Sequence, residues 1–158
     1  MSVIAIRTAI VAAISSVADI GRVHAYERYA SNMDQLKALY LSADHQQLRG
    51  WFVRRVATPE TGRTGNATIE TIGWQIRGFM ALNDGAETEL AFDDLIERLR
   101  DRFRTDDTLG GTVDMCSEPG SPDGPVGLQL IDSGPAMFAG VLCHLARCAL
   151  TTTRYLGP

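Results

Sequence analysis

The sequence predicts an α+β domain, with one antiparallel or mixed β-sheet and helices packed on one face. Three observations predict it. Thr68 to Leu82 alternates, with Ile69, Thr71, Gln75 and Arg77 on one face and Ile72, Trp74, Ile76, Met80 and Leu82 on the other, as a half-buried strand does. Glu87 to Arg104 places Phe92, Leu95, Ile96, Leu99 and Phe103 at i, i+3, i+4, i+7 spacing, the signature of a helix with one buried face. The remaining apolar runs are short and punctuated by glycine and proline. A chain of 158 residues with 45% apolar composition fits one core, so residues 1–158 are read as a single domain.

The elements follow in order. Residues 2–18 lack proline and glycine, and their apolar residues recur at helical spacing, which predicts a well-buried helix stopping before Gly21. Val23 to Ala30 reads as a strand or an irregular crossing. Ser31-Asn32 offers an N-cap for a helix over 32–42, with Asp34 in its first turn. Leu48 to Ala57 has strand composition, with Trp51, Val53 and Arg55 on one face and Phe52, Arg54 and Val56 on the other.

Residues 58–67 contain Pro59, Gly62 and Gly65 and read as a long loop between two strands. Gly73 and Gly78 in the following strand suggest a bend or bulge. In the helix that follows, Asp93 and Asp94 lie early and Arg98, Arg100, Arg102 and Arg104 lie late, in the order the helix dipole favours. Thr112 to Ser117 reads as a strand, and Glu118 to Pro125, with three prolines, as a loop. Val126 to Asp132 alternates before Ser133-Gly134-Pro135 interrupts. Residues 137–155 suit a strand or a helix; the preceding strand and turn favour a strand closing a meander.

Composition narrows the function. A net charge of −4 argues against a protein that grips nucleic-acid phosphates, yet fits one that lets DNA pass. Three cysteines, Cys116, Cys143 and Cys148, do not make a disulfide framework. In a strand, Cys143 points away from His144 and Cys148, so the group reads as core thiols and not a metal site. There is no G-x-S-x-G and no phosphate-cradling loop with a following Lys-Ser/Thr. The acids of residues 87–97 read as a solvated helix face. No cofactor and no catalytic residue is expected, and no stretch has the length of a membrane span.

Other residues stand out as candidates for surface, subunit or, for the arginines, DNA-facing contact. Trp51, Arg54, Arg55 and Arg77 lie in the two middle strands. Glu60, Arg63 and Asn66 lie in the first long loop, and Pro119 and Asp123 in the second. Tryptophan suits a core or a subunit contact equally.

The segment order carries a resemblance. It runs from the apolar N-terminal helix through Tyr26-Glu27-Arg28-Tyr29-Ala30 and Arg49-Gly50-Trp51-Phe52-Val53-Arg54-Arg55-Val56-Ala57. Then come Trp74-x-Ile76-Arg77-Gly78-Phe79, the acidic-to-basic helix, Leu109-Gly110-Gly111 and a late hairpin. Together they resemble the tail terminator (tail completion) proteins of long-tailed bacteriophages, over nearly the whole chain. The resemblance implies a non-enzymatic virion protein, assembled in the host cytoplasm as a homohexameric ring. Such a ring caps the head-proximal end of the tail tube, ends tube growth and meets the head-side connector, and DNA passes through its lumen. A head–tail joining (stopper) protein and a non-viral α+β interaction module are the alternatives. A small hydrolase using His144 or His45 ranks below them.

Overall fold

The computed structural model describes residues 2–44, 46–64 and 67–157; for Arg63 and Thr64 it describes the backbone. The expected α+β domain is what it shows: a six-stranded mixed sheet with three α-helices. The helices are α1 (Val3–Ser15), α2 (Met33–Leu39) and α3 (Thr88–Thr105). The strands are β1 (Arg22–His24), β2 (Arg49–Ala57), β3 (Glu60–Thr64), β4 (Ala67–Ala81), β5 (Gln129–Phe138) and β6 (Val141–Leu156). The sheet order is β1-β2-β4-β6-β5, with β3 also paired to β4. Among the described residues only β1 and β2 pair in parallel. Among the described residues, no helix is long and apolar enough to cross a membrane.

α1 and α3 lie on one face of the sheet. Ser2 caps α1 by accepting from the Ala5 amide, and Ile6, Ile10 and Ile14 are fully buried. α3 buries the five expected residues, Phe92, Leu95, Ile96, Leu99 and Phe103. Both helices press on Ile72, Trp74, Ile76 and Met80, the apolar set of β4. Glu70, in the same set, is satisfied by Arg154 directly opposite on β6, with Nε to Oε1 at 2.9 Å. α2 is capped by Asn32, which accepts from the Gln35 amide at 2.9 Å. This helix sits on the other face. There Tyr40, Phe52, Phe79 and Cys143 form a second, smaller cluster, with Phe138 stacked on Phe79 at 3.8 Å between ring centroids.

Several element boundaries differ from expectation. α1 ends at Ser15, well before Gly21: the Ser16 amide still donates to the Ala12 carbonyl, but the next amide, of Val17, donates to the Ile14 carbonyl and closes the helix in a tighter turn. Gly21 has φ 89°, and a Cβ there would meet the Arg49 carbonyl oxygen at 2.2 Å. The expected loop over 58–67 is largely strand. The Pro59 carbonyl accepts from the Thr71 amide at 3.0 Å, β3 then pairs with β4, and the register shifts between Thr61 and Arg63 around Gly62 at φ 70°. Glycine here makes a bulge, not a loop. β2, β3 and β4 thus form one long hairpin arm; Gly65 and Asn66 lie outside the described residues.

Residues 112–117, expected as a strand, form the isolated bridges Met115↔Thr153 and Ser117↔Val126 in place of a continuous ladder; Val113 and Cys116 anchor them in the core, and the Thr153 hydroxyl donates to the Ser117 carbonyl at 2.7 Å. The expected break at Ser133-Gly134-Pro135 lies inside β5, a sheet-edge strand where proline is tolerated. The two-residue turn Ala139-Gly140, with φ 51° and 75°, joins β5 to β6 in the manner of a type I′ hairpin. The C-terminal stretch is the expected strand, β6.

Candidate functional site

The part of the molecule left for contact is the sheet face away from α1 and α3, beyond the α2 cluster. Strand pairing fixes what it displays. Phe52 on β2 lies beside Arg77 on β4, Arg77 beside Arg147 on β6, and Arg147 beside Asp132 on β5. Directly paired residues share a face, so these four form one row across the sheet. The next row holds Arg54, Gln75, Ala149 and Gln129. Arg147 is ion-paired to Asp132. Arg54 pairs with Glu27 at 3.3 Å. Arg77 forms no ion pair among the described residues, and its Nε is buried without a hydrogen-bond partner.

Charge at the two ends of α3 is handled differently. At the C-terminal end Arg98 bonds Asp94 and the Ala18 carbonyl, Arg102 bonds the Ser16 hydroxyl, Arg100 pairs with Glu97 and Arg104 with Asp101. These arginines lock α3 to the end of α1 and to its own acids. At the N-terminal end Asp84, Glu87, Glu89 and Asp93 are exposed and form no ion pair among the described residues. The helix dipole stabilises them there, but it gives them no cation.

Exposed apolar residues stand at both ends of the strand order, and others, such as Ile4, Val56 and Leu90, lie elsewhere. On the β5 side are Leu130, Ile131 and Met137, and Met137 is 67% exposed. On the β1 side, in the segment crossing from β1 to α2, are Tyr26, Tyr29 and Met33; Tyr29 is 76% exposed. Arg28 lies over the Tyr26 ring at 5.3 Å.

The expected contact residues divide accordingly. Arg54 and Arg77 come together on the uncovered face. Arg55 is exposed on the helix side of the sheet, opposite Trp74. Glu60 is exposed on β3, and the Arg63 backbone pairs with Thr68 in the hairpin arm. Asn66 falls outside the described residues. Pro119 is half-buried and Asp123 exposed in the second loop, apart from the Arg77 row. Trp51 is a correction: it is fully buried inside its own chain, its Nε1 donates to the Ile20 carbonyl at 3.1 Å, and its ring lies over Gly78. It belongs to the core and has no surface to offer a partner. Trp74 is likewise buried, donating to the Thr152 hydroxyl at 2.9 Å.

One pairing was invisible in the sequence. His144 Nε2 lies 2.8 Å from the Thr88 hydroxyl, across 56 positions of chain. That hydroxyl also accepts from the Asn83 amide and lies 3.1 Å from the Asn83 carbonyl. His144 stacks on Phe92 with centroids 5.7 Å apart. The arrangement fastens the start of α3 to β6, where Glu87 holds a left-handed backbone at φ 54°. A hollow of about 230 Å³ beside it is lined by Asp84, Glu87 and Glu89. Those carboxylates would oppose charge building on an acyl oxygen, so the pair reads as a helix fastening and not as nucleophile and base. A second hollow of about 400 Å³, between the end of α1 and residues 42–44, brings Ser15, Asp19, Arg22, Ser42 and Asp44 to its rim. His45, next in the chain after Asp44, lies outside the described residues.

The three thiols are buried. Desolvation pushes Cys116 and Cys148 to about 12 and Cys143 to about 11, which keeps them protonated and unreactive. Among the described residues no three of His, Cys, Asp and Glu gather as metal ligands would. Compared with models of protein families and with curated protein sequences, the chain matches none.

Proposed function

We propose that this chain is a structural virion protein. In this reading it assembles head to tail into a ring, a hexamer in the proteins it resembles, that caps the head-proximal end of a phage tail tube. The ring ends tube growth and presents a surface to the head-side connector, while DNA passes through the lumen unbound. The observation that carries the reading is that exposed apolar side chains stand at both ends of the strand order: Leu130, Ile131 and Met137 spaced along β5 at one, Tyr26, Tyr29 and Met33 after β1 at the other. Two different surfaces on one protomer are what a closed heterologous ring uses. The hairpin arm β2–β3–β4 supports the same reading, because it carries the exposed residues Arg54, Arg55 and Glu60.

Negative-stain imaging of the purified protein mixed with tail tubes tests it. The expected result is a ring at one end of each tube. A stable monomer with no affinity for tubes would instead favour an α+β interaction module. Rings that bind the head portal and ignore tubes would place the chain among the head–tail joining proteins.

A further inference from the structure

We infer that the uncovered sheet face at Arg77 receives the acidic N-terminal end of α3 from a second copy of this chain. The second copy as occupant rests on the ring reading above; the choice of surfaces rests on charge. Arg77 and Arg147 face each other directly on adjacent strands, and like charges so placed repel. Asp132 answers Arg147. Arg77 is left with a cation that no acid of its own chain meets among the described residues. Such a group gains most from a carboxylate, which fits the guanidinium fork.

The chain carries matching acids. Asp84, Glu87, Glu89 and Asp93 are exposed and without an ion pair among the described residues, whereas Asp94, Glu97 and Asp101 of the same helix are paired. α3 packs on the opposite face of the sheet from Arg77, so these acids are turned away from their own Arg77. The contact is therefore intermolecular and joins unlike surfaces, as head-to-tail assembly demands. The acidic end borders β5, for Glu89 and Asp93 line a hollow with Ser133, Gly134 and Pro135. The Arg54–Glu27 pair ties the basic face to the Tyr26–Tyr29 segment. The charged contact thus continues the two groups of exposed apolar residues. A nucleic-acid phosphate is the weaker occupant, since the net charge of −4 repels a polyanion.

Sedimentation velocity of the full chain tests this, with thermal melting as the check on folding. Arg77→Glu alone, and Glu89→Arg with Asp93→Arg, should each abolish assembly while keeping the wild-type melt. Arg77→Gln should weaken association by roughly 10- to 100-fold, the worth of one charged hydrogen bond. Equimolar mixing of the two charge-reversed proteins should restore assembly, because each reversed surface then meets its complement in alternation. If either reversed protein assembles like wild type, or mixing restores nothing, the contact is overturned while rings on tail tubes would still support the function. A wild-type chain that stays monomeric alone yet caps tubes also overturns it. Loss of DNA retention by Arg77→Glu with assembly unchanged would assign the face to phosphate and overturn it as well. Restoration by mixing, without any ring on tubes, would uphold the contact and remove the virion reading.

Discussion

Gly78 is a slot for Trp51. A Cβ at position 78 would lie 2.4 Å from Cζ3 of the indole, and the ring cannot swing aside without breaking its Nε1 bond to Ile20. Gly78→Ala should therefore destabilise the protein by about 1–3 kcal/mol, the usual cost of overpacking, measured as a shift in denaturant midpoint. Gly134→Ala, with open space around the added methyl, should change stability by less than about 0.5 kcal/mol. The sequence shows Gly78 only as an irregularity in a strand, because its reason is the pairing Trp51↔Gly78, a contact no local pattern encodes. The same register turns Trp51 from an interface candidate into core. His24 is a second residue whose role comes from the fold. Its Nε2 donates to the Leu39 carbonyl at 2.7 Å. Burial, with Arg28 and Arg22 nearby, lowers its pKa below 6.5, and the Leu39 bond only partly opposes this. The unfolded chain thus takes up the proton first as pH falls. The stabilisation is fully present above 6.5 and is lost as pH falls through 6.5 to the lower folded value. The melting temperature of wild type should drop over that window more than that of His24→Gln, which keeps a donor for Leu39 but cannot titrate.

At the scale of elements, α3 separates what holds the fold from what decorates it. Its buried stripe carries the energy: Leu99 is fully buried between α1 and the sheet, and Leu99→Ala should cost about 2–5 kcal/mol. Asp94 pairs with Arg98 at 3.0 Å on an exposed surface, and Asp94→Ala should cost only about 0.2–0.5 kcal/mol. Urea unfolding of the two variants checks the ratio. Periodicity made this helix legible in advance, as it did β4, since each repeats one pattern over many residues; in β6 periodicity left helix and strand open, and the preceding strand and turn decided for the strand. The elements that were misjudged share a different property. β3 and β5 contain glycine or proline, which locally read as breaks. The fold uses Gly62 at a bulge against β4 and places Pro135 on a sheet edge, and both choices are set by how the strands pair, which the composition of the segment itself does not show. Residues 112–117 have strand composition and lie beside the end of β6, but their backbone meets it at Thr153 alone and meets Val126 at Ser117, so they make single bridges and not a ladder.

At the scale of the whole molecule, the question is how the open ends of the sheet are used. β5 is a long edge strand, and an unguarded edge invites indiscriminate pairing. This one is guarded: the register shifts between Leu130 and Asp132, and Pro135 removes a backbone donor. What β5 offers to a partner in the proposed ring is therefore side chains, with Ile131 and Met137 standing out at 56% and 67% exposure. Of the candidate contact residues, sequence reasoning found Arg54 and Arg77 because arginine in a strand is conspicuous. It missed Ile131 and Met137 because an apolar residue in a strand reads as core until the strand is known to be an edge. The distinction is measurable. Ile131→Asp with Met137→Asp removes little buried surface, so the melt should stay close to wild type, within about 1 kcal/mol. Self-association and capture on tail tubes should fall together, because two carboxylates would have to be desolvated at the contact without a cation opposite. A variant that still assembles would show that the β5 edge faces solvent in the assembly. The head-to-tail contact would then have to run through the hairpin arm, where replacing residues 59–66 by a short turn should abolish it.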